Sequence, residues 1–278
     1  HPSAKAHSLK FVIRAGGIGT RLWPYSRKER PKQFHSLVGS RTMVQDAVDR
    51  VRAIATPDDI FVSTGADMQH LVREQLPDVA ADHIITEPAL RNTGPAVGLE
   101  CLLLEARYPG CTIASLGSDH HVSDSARFCD LLAVAEAAVE QTPEVLLTLG
   151  VKPTRPEVGY GYIKKGRIVD TIDGVPIHQV ESFIEKPDLD TARSFLGAGA
   201  YLWNSNMFVW KARTVLDLLA RHEPELHRLL MEIGSSLGTR TEASTISECY
   251  PLMPSVAIDN AVVERSEAVA TIEADMGW

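Results

Sequence analysis

The sequence has no apolar run approaching the roughly 20 residues that cross a bilayer. Its first eight residues also lack the apolar stretch of a secretory signal and read as a tag remnant or a loose terminus. Both absences point to a cytoplasmic protein without a membrane partner. Cysteine is scarce: Cys101, Cys111, Cys129 and Cys249 are the only four, and no two stand as C-x-x-C. No histidines cluster at zinc-finger spacing, so a disulfide framework and a structural zinc site are set aside in favour of buried thiols in a reducing compartment. Positive charge is in deficit as well. The 28 Lys and Arg face 36 Asp and Glu, a net charge of -8, whereas a general nucleic-acid binder carries a basic surface. Nucleic acid is thereby excluded as a partner, while a local basic pocket for a small anion is not. Repeats and low-complexity tracts are absent too.

What is present suffices for a core. Hydrophobic residues make up 44% and charged residues 23% of 278 positions, ordinary globular values. Residues 9–13, 60–64, 84–86, 112–116 and 145–149 are short apolar runs that read as strands. Residues 42–54, 68–76, 95–106 and 125–141 carry helical periodicity, the last with Asp124 or Ser125 near its N-cap. Strands alternating with helices imply an α/β fold with a mostly parallel sheet covered on both faces. Ligands of such sheets sit beyond the carboxyl ends of the strands. The second half reads differently. Residues 160–164 and 167–172 flank Lys165-Gly166 and predict a hairpin. A long strand over 177–184 and an apolar, aromatic run over 200–210 follow. Helices are expected at 212–220, 225–233 and 261–266. No linker separates the halves, so residues 9–278 are expected to form one unit, with a nucleotide side to about 150 and a β-rich sugar side from 151.

The first strand runs into Ala15-Gly16-Gly17-Ile18-Gly19-Thr20-Arg21-Leu22-Trp23-Pro24. Glycines let backbone N–H groups approach a phosphate chain, and Arg21 adds a forked permanent charge. The loop is neither a dinucleotide fingerprint, which needs glycine where Leu22 stands, nor a Walker A loop, which needs Gly-Lys-Ser/Thr. Pro31-Lys32-Gln33-Phe34 follows at short range, and Lys32 is the candidate second phosphate cation; Arg27, Lys28 and Arg30 can simply be solvated.

Ala-Gly-Gly-x-Gly-Thr-Arg-Leu-Trp-Pro-x-Ser-Arg followed by Pro-Lys-Gln-Phe resembles the signature of the mannose-1-phosphate guanylyltransferases, in the sugar nucleotidyltransferase superfamily. The resemblance continues in order through Glu87-Pro88, Arg91-Asn92-Thr93-Gly94-Pro95, Ser118-Asp119-His120, Glu157-Val158-Gly159-Tyr160-Gly161-Tyr162-Ile163, Phe183-Ile184-Glu185-Lys186-Pro187, Trp203-Asn204-Ser205-Asn206-Met207-Phe208 and Ile258-Asp259-Asn260-Ala261. It implies a Rossmann-like sheet of the nucleotide-diphospho-sugar transferase type with a small β-rich sugar lobe. It also implies transfer of GMP from GTP to mannose 1-phosphate. Arg21, Lys32 and Asp119 would be catalytic, with Asp119 on Mg²⁺. Ala15, Gly16, Gly17, Gly19, Thr20, Glu87, Asn92 and Ser118 would meet the nucleotide. Gly161, Glu185, Lys186, Asn204 and Asp259 would meet the sugar phosphate.

Glu87 could accept the N–H donors of guanine, or could merely end a strand and cap the next helix. Asp119 alone would read as a cap, and its place in the ordered series raises it. The sequence departs from the family pattern at Arg14, where an apolar residue is usual, at Gly94 for alanine, at Val158 for threonine and at Asn206 for glycine. The family's second metal aspartate is expected beyond Trp278, with a C-terminal region after it. Three alternatives remain: another base, another sugar such as a heptose phosphate, or a non-catalytic regulatory subunit that binds a sugar nucleotide. A homodimer is compatible with the resemblance.

Overall fold

The computed structural model describes residues 9–17, 29–36 and 39–278. Nine strands form one sheet: β1 (Leu9–Arg14), β2 (Ile60–Gly65), β3 (Ile84–Glu87), β4 (Thr112–Gly117), β5 (Leu146–Val151), β6 (Gly161–Ile172), β7 (Val175–Glu185), β8 (Tyr201–Lys211) and β9 (Val269–Glu273). Their order is β3-β2-β1-β4-β8-β5-β9-β7-β6, with an additional β8–β6 pairing. β3, β2, β1 and β4 run parallel. All six residues of β2 and all six of β5 are buried, as expected of strands covered on both faces.

The helices among the described residues are α1 (Met43–Val51), α2 (Gln69–Gln75), α3 (Thr93–Arg107), α4 (Ser125–Gln141), α5 (Leu189–Ala198), α6 (Ala212–His222), α7 (Pro224–Ser236), α8 (Glu242–Cys249) and α9 (Ile258–Ala261). Short polar residues set their starts. Thr42 and Gln45 form a reciprocal capping box on α1, and Asp124 accepts the Arg127 N–H on α4. Alternation along the strands feeds two cores. Phe11 and Ile13 of β1 pack in the layer of α1, α2 and α4, and Val12 packs with Phe61, Ile85 and α3, α6 and α7 on the other face.

Two expectations need correcting. Lys165-Gly166 is not a turn, because β6 runs continuously through it with register irregularities against β7. A side chain on Gly166 would come within 3.0 Å of the Gln179 carbonyl oxygen, so this glycine serves a close backbone approach. The turn lies at Asp173-Gly174, whose φ values of 49° and 77° suit a tight two-residue hairpin. The helix expected at 261–266 is instead α9 followed by a 3-10 turn, Val263–Arg265. α5, α8 and β9 lie outside the sequence expectations. β9 fills the gap between β5 and β7, parallel to the first and antiparallel to the second.

Candidate active site

The carboxyl ends of β1, β2, β3 and β4 open on one edge of the sheet and deliver Ala15, Gly65, Glu87 and Gly117 side by side. The glycine segment is anchored from behind. The Ala15 carbonyl accepts Thr64 Oγ1–H at 2.9 Å and Gln33 Nε2–H at 3.1 Å, and Gln33 also donates to the Gly17 carbonyl at 3.2 Å. Gln33, 1% exposed, thus joins the short turn Lys32–Phe34 to Ala15, Gly16 and Gly17. Gly17 takes φ 86°, a conformation that favours glycine. The expected contributors Gly19, Thr20 and Arg21 lie outside the described residues.

Lys32 and Asp119 meet directly, Nζ to Oδ2 at 2.5 Å. Both line a cavity of about 820 Å³ together with His120, Lys152, Arg155, Tyr160, Trp203 and Trp278. Burial pushes the Asp119 carboxyl up, but the adjacent imidazole and the Lys32 ammonium outweigh it and hold the group below the ordinary carboxylate range. Asp119 is therefore ionised at neutral pH. Burial pushes His120 down, and its Nδ1 accepts the Trp278 Nε1–H at 2.9 Å. The loop carrying Asp119 is tied down at its far end, where Ser123 N–H donates to the Gly277 carbonyl and Asp124 N–H to the Met276 carbonyl.

Ser118 does not present its hydroxyl to this cavity. It is 2% exposed, and its Oγ–H and N–H both donate to the Arg14 carbonyl, at 2.7 and 3.1 Å. The nucleotide contact expected of it gives way to a role in joining β1 to the Asp119 loop. Among the described residues no three His, Cys, Asp or Glu side chains cluster as a metal cage. A hard cation such as Mg²⁺ takes one or two carboxylates and completes its shell with water and phosphate oxygens. A single ionised, partly exposed Asp119 in a roomy cavity fits that mode.

A second group gathers across the β6–β7 and β8 junction. Gly161 stands opposite Glu185 in register, and a side chain on Gly161 would lie 2.6 Å from Glu185 Oε2 and 3.6 Å from Asn204 Cβ. Asn204 Nδ2–H donates to Asp259 Oδ1 at 3.3 Å. Burial, with the Glu185 charge nearby, raises the Asp259 carboxyl against the Asn204 hydrogen bond. Lys186 follows with φ 44°, its N–H bonded to the Tyr160 carbonyl at 3.2 Å and its side chain exposed.

Glu87 and Gly16 form a third group. A side chain on Gly16 would reach to 4.0 Å from Glu87 Oε2, while Glu87 Oε1 accepts the Tyr250 Oη–H at 2.7 Å. Burial pushes Glu87 up to about 7. Asn92 spends its Oδ1 on capping α3, accepting the Thr93 N–H at 2.8 Å, so an amide contact to a base is left to its Nδ2 alone.

The structure thus brings Lys32 to Asp119, Glu87 to the glycine segment, and Gly161, Glu185, Asn204 and Asp259 to one another. β8 links the first and last groups, with Trp203 lining the large cavity and its neighbour Asn204 in the Asp259 cluster. Gln33, Tyr250, His120 and Trp278 escaped the sequence reading as functional candidates. Gln33 was accessible from its place in Pro-Lys-Gln-Phe; Tyr250 had no local signal.

A family model described as nucleotidyl transferase matches residues 10–242. The chain is 33% identical over 272 residues to a mannose-1-phosphate guanylyltransferase of Escherichia coli, covering 96% of this chain and 58% of that protein. It is 35% identical over 272 residues to one of Salmonella typhimurium, covering 96% and 55%. The chain therefore spans little more than half the length of these relatives. A solved protein of Thermus thermophilus, described as a mannose-1-phosphate geranyltransferase, superposes with a TM-score of 0.84 at 28% identity over 96% of this chain and 74% of that one.

Proposed function

The chain belongs to the nucleotidyl transferase family, and from that premise we propose that it transfers GMP from GTP to mannose 1-phosphate, giving GDP-mannose and pyrophosphate. The observation that carries the reading is the Lys32–Asp119 pair lining one large cavity, with Gln33 tying the Lys32 turn to the glycine segment. The named activity of the two curated relatives supports the choice of base and sugar.

The difficulty of the reaction is charge. A phosphate monoester carries roughly -1.5 to -2 at neutral pH, and a triphosphate repels it. Lys32 and Arg21 neutralise the phosphate chain and draw charge toward the leaving pyrophosphate. Asp119 would hold Mg²⁺, which supplies further neutralisation to phosphate oxygens. Lys186 holds the sugar phosphate, while Glu185, Asn204 and Asp259 read sugar hydroxyls. An oxygen of the sugar phosphate then bonds to the α-phosphorus as the bond to the β-phosphate oxygen breaks, in line. The attacking oxygen is already ionised, so no general base is required. Glu87 accepts the N1–H and N2–H donors of guanine.

The test is to incubate the protein with each NTP and mannose 1-phosphate and to measure pyrophosphate and the nucleotide sugar. GTP with mannose 1-phosphate is expected to be the preferred pair. Preference for UTP or dTTP, or no product with any sugar phosphate, overturns the reading.

A further inference from the structure

The α3 face of the sheet buries the Lys10–Asp59 pair toward the start of β1 and two further polar pairs at the carboxyl end of the strands. There Arg14 of β1 pairs with Glu100 of α3, and Glu87 of β3 pairs with Tyr250. Arg14 Nη1 lies 3.6 Å from Glu100 Oε2 and also donates to Ser115 Oγ. Glu100 is 1% exposed, and its Oε1 has no partner among the described residues. Tyr250, fully buried, donates to Glu87 Oε1. Buried charges are weak sources of stability, and replacing such a group with apolar side chains is commonly neutral or favourable. A group of this kind therefore calls for another reason.

Its geometry supplies one. Tyr250 engages one oxygen of Glu87, and the other lies toward Gly16, where a side chain would sit 4.0 Å away. Gly16 and Gly17 line a small recess with Gly65, Asp67 and Leu90. A carboxylate held by one oxygen has its rotation fixed, which an exposed Glu side chain lacks. We infer that Tyr250 is a positioning residue for base selection, fixing the Glu87 carboxylate against Gly16 as an acceptor for a base edge with two adjacent N–H donors. The inference rests on the proposed guanylyl transfer and adds its discriminating apparatus.

The charged and titratable groups acting on Glu87 are Tyr250, Glu100 and Arg14, and Arg91 acts in turn on Tyr250. Tyr250 and Arg14 favour the ionised Glu87, while burial and Glu100 oppose it. Removing the tyrosine hydroxyl should therefore let Glu87 take a proton at higher pH.

The experiment compares kcat/KM for GTP and ITP, which lacks the exocyclic amine, between about pH 6 and pH 8.5. In Tyr250→Phe the GTP-to-ITP ratio is expected to fall about tenfold at neutral pH, the size of losing a hydrogen bond to a charged group. The pH below which GTP preference disappears should move up by about half a unit to one unit. Tyr250→Leu, a second replacement without the hydroxyl, should lower the ratio as well. Thermal melting of both variants verifies folding. A parent protein without GTP preference overturns the guanylyl reading and this inference with it. A GTP-preferring parent whose ratio and pH midpoint survive Tyr250→Phe overturns this inference alone. If Tyr250→Phe does not fold, an unchanged ratio in Tyr250→Leu is the overturning result.

Discussion

At the scale of single residues, the candidate chemistry rests on Lys32 and Glu87. Lys32 sits on Asp119 at 2.5 Å, in the cavity that takes the phosphates under the proposed function. Lys32→Ala should lower kcat by about 10²- to 10³-fold, as loss of a positioned transition-state donor does, measured as pyrophosphate release at saturating GTP. Glu87 yields a stability prediction with a definite sign. Its folded value of about 7 stands above the unfolded 4.5, so the folded protein binds the extra proton in that window. The stabilisation from the neutral form is complete below about 4.5 and is lost as pH rises through about 7. Glu87→Gln stays neutral throughout. It should be more stable than the parent at about pH 8 by about 2–3 kcal/mol, with the gap closing near pH 5, read by urea denaturation at both pH values.

At the scale of elements, the sequence announced what is periodic and local. α4 matches its expected limits because Asp124 caps a long apolar face. β1 to β4 are legible because each carries a short run of apolar residues that is almost wholly buried. β9 was not, because its five residues owe their strand to β5 and β7 on either side, partners remote in sequence. The same division holds in the site. Lys32, Asp119 and Glu87 were legible as motif residues after strands, whereas Tyr250 reaches Glu87 across 163 positions and no local pattern marks it. The departures from the family pattern gain physical reasons. Asn206 sits at φ 57°, where Asn is tolerated in place of glycine, and its N–H bonds the Asn204 side chain. Gly94 donates to the Val256 carbonyl at 2.8 Å, and a methyl there would lie 2.5 Å from that oxygen. Gly94→Ala should destabilise by about 1–3 kcal/mol, whereas Asn206→Gly should change stability by less than about 1 kcal/mol; chemical denaturation of the two variants checks both.

At the scale of the whole molecule, one sheet carries three separate clusters. The Glu87–Gly16 group lies at the β1–β3 edge, the Lys32–Asp119 pair beyond β4, and Glu185, Asn204 and Asp259 around β6, β7 and β8. The last cluster shares no lining residue with the Lys32 cavity. Asp259→Asn should therefore raise KM for mannose 1-phosphate about tenfold, the effect of weakening a charged hydrogen-bond acceptor. GTP affinity, measured by calorimetry without sugar phosphate, should stay within about twofold, since Asp259 does not line the Lys32 cavity.

The Lys32–Asp119 contact has a broader consequence. Each partner already pairs with the other, so a lone anion or a lone cation arriving in the cavity must compete with that contact. A visitor bringing both signs of charge at once can match each side and strand neither. Under the proposed function, the pair would favour a phosphate and a metal arriving together over either one alone.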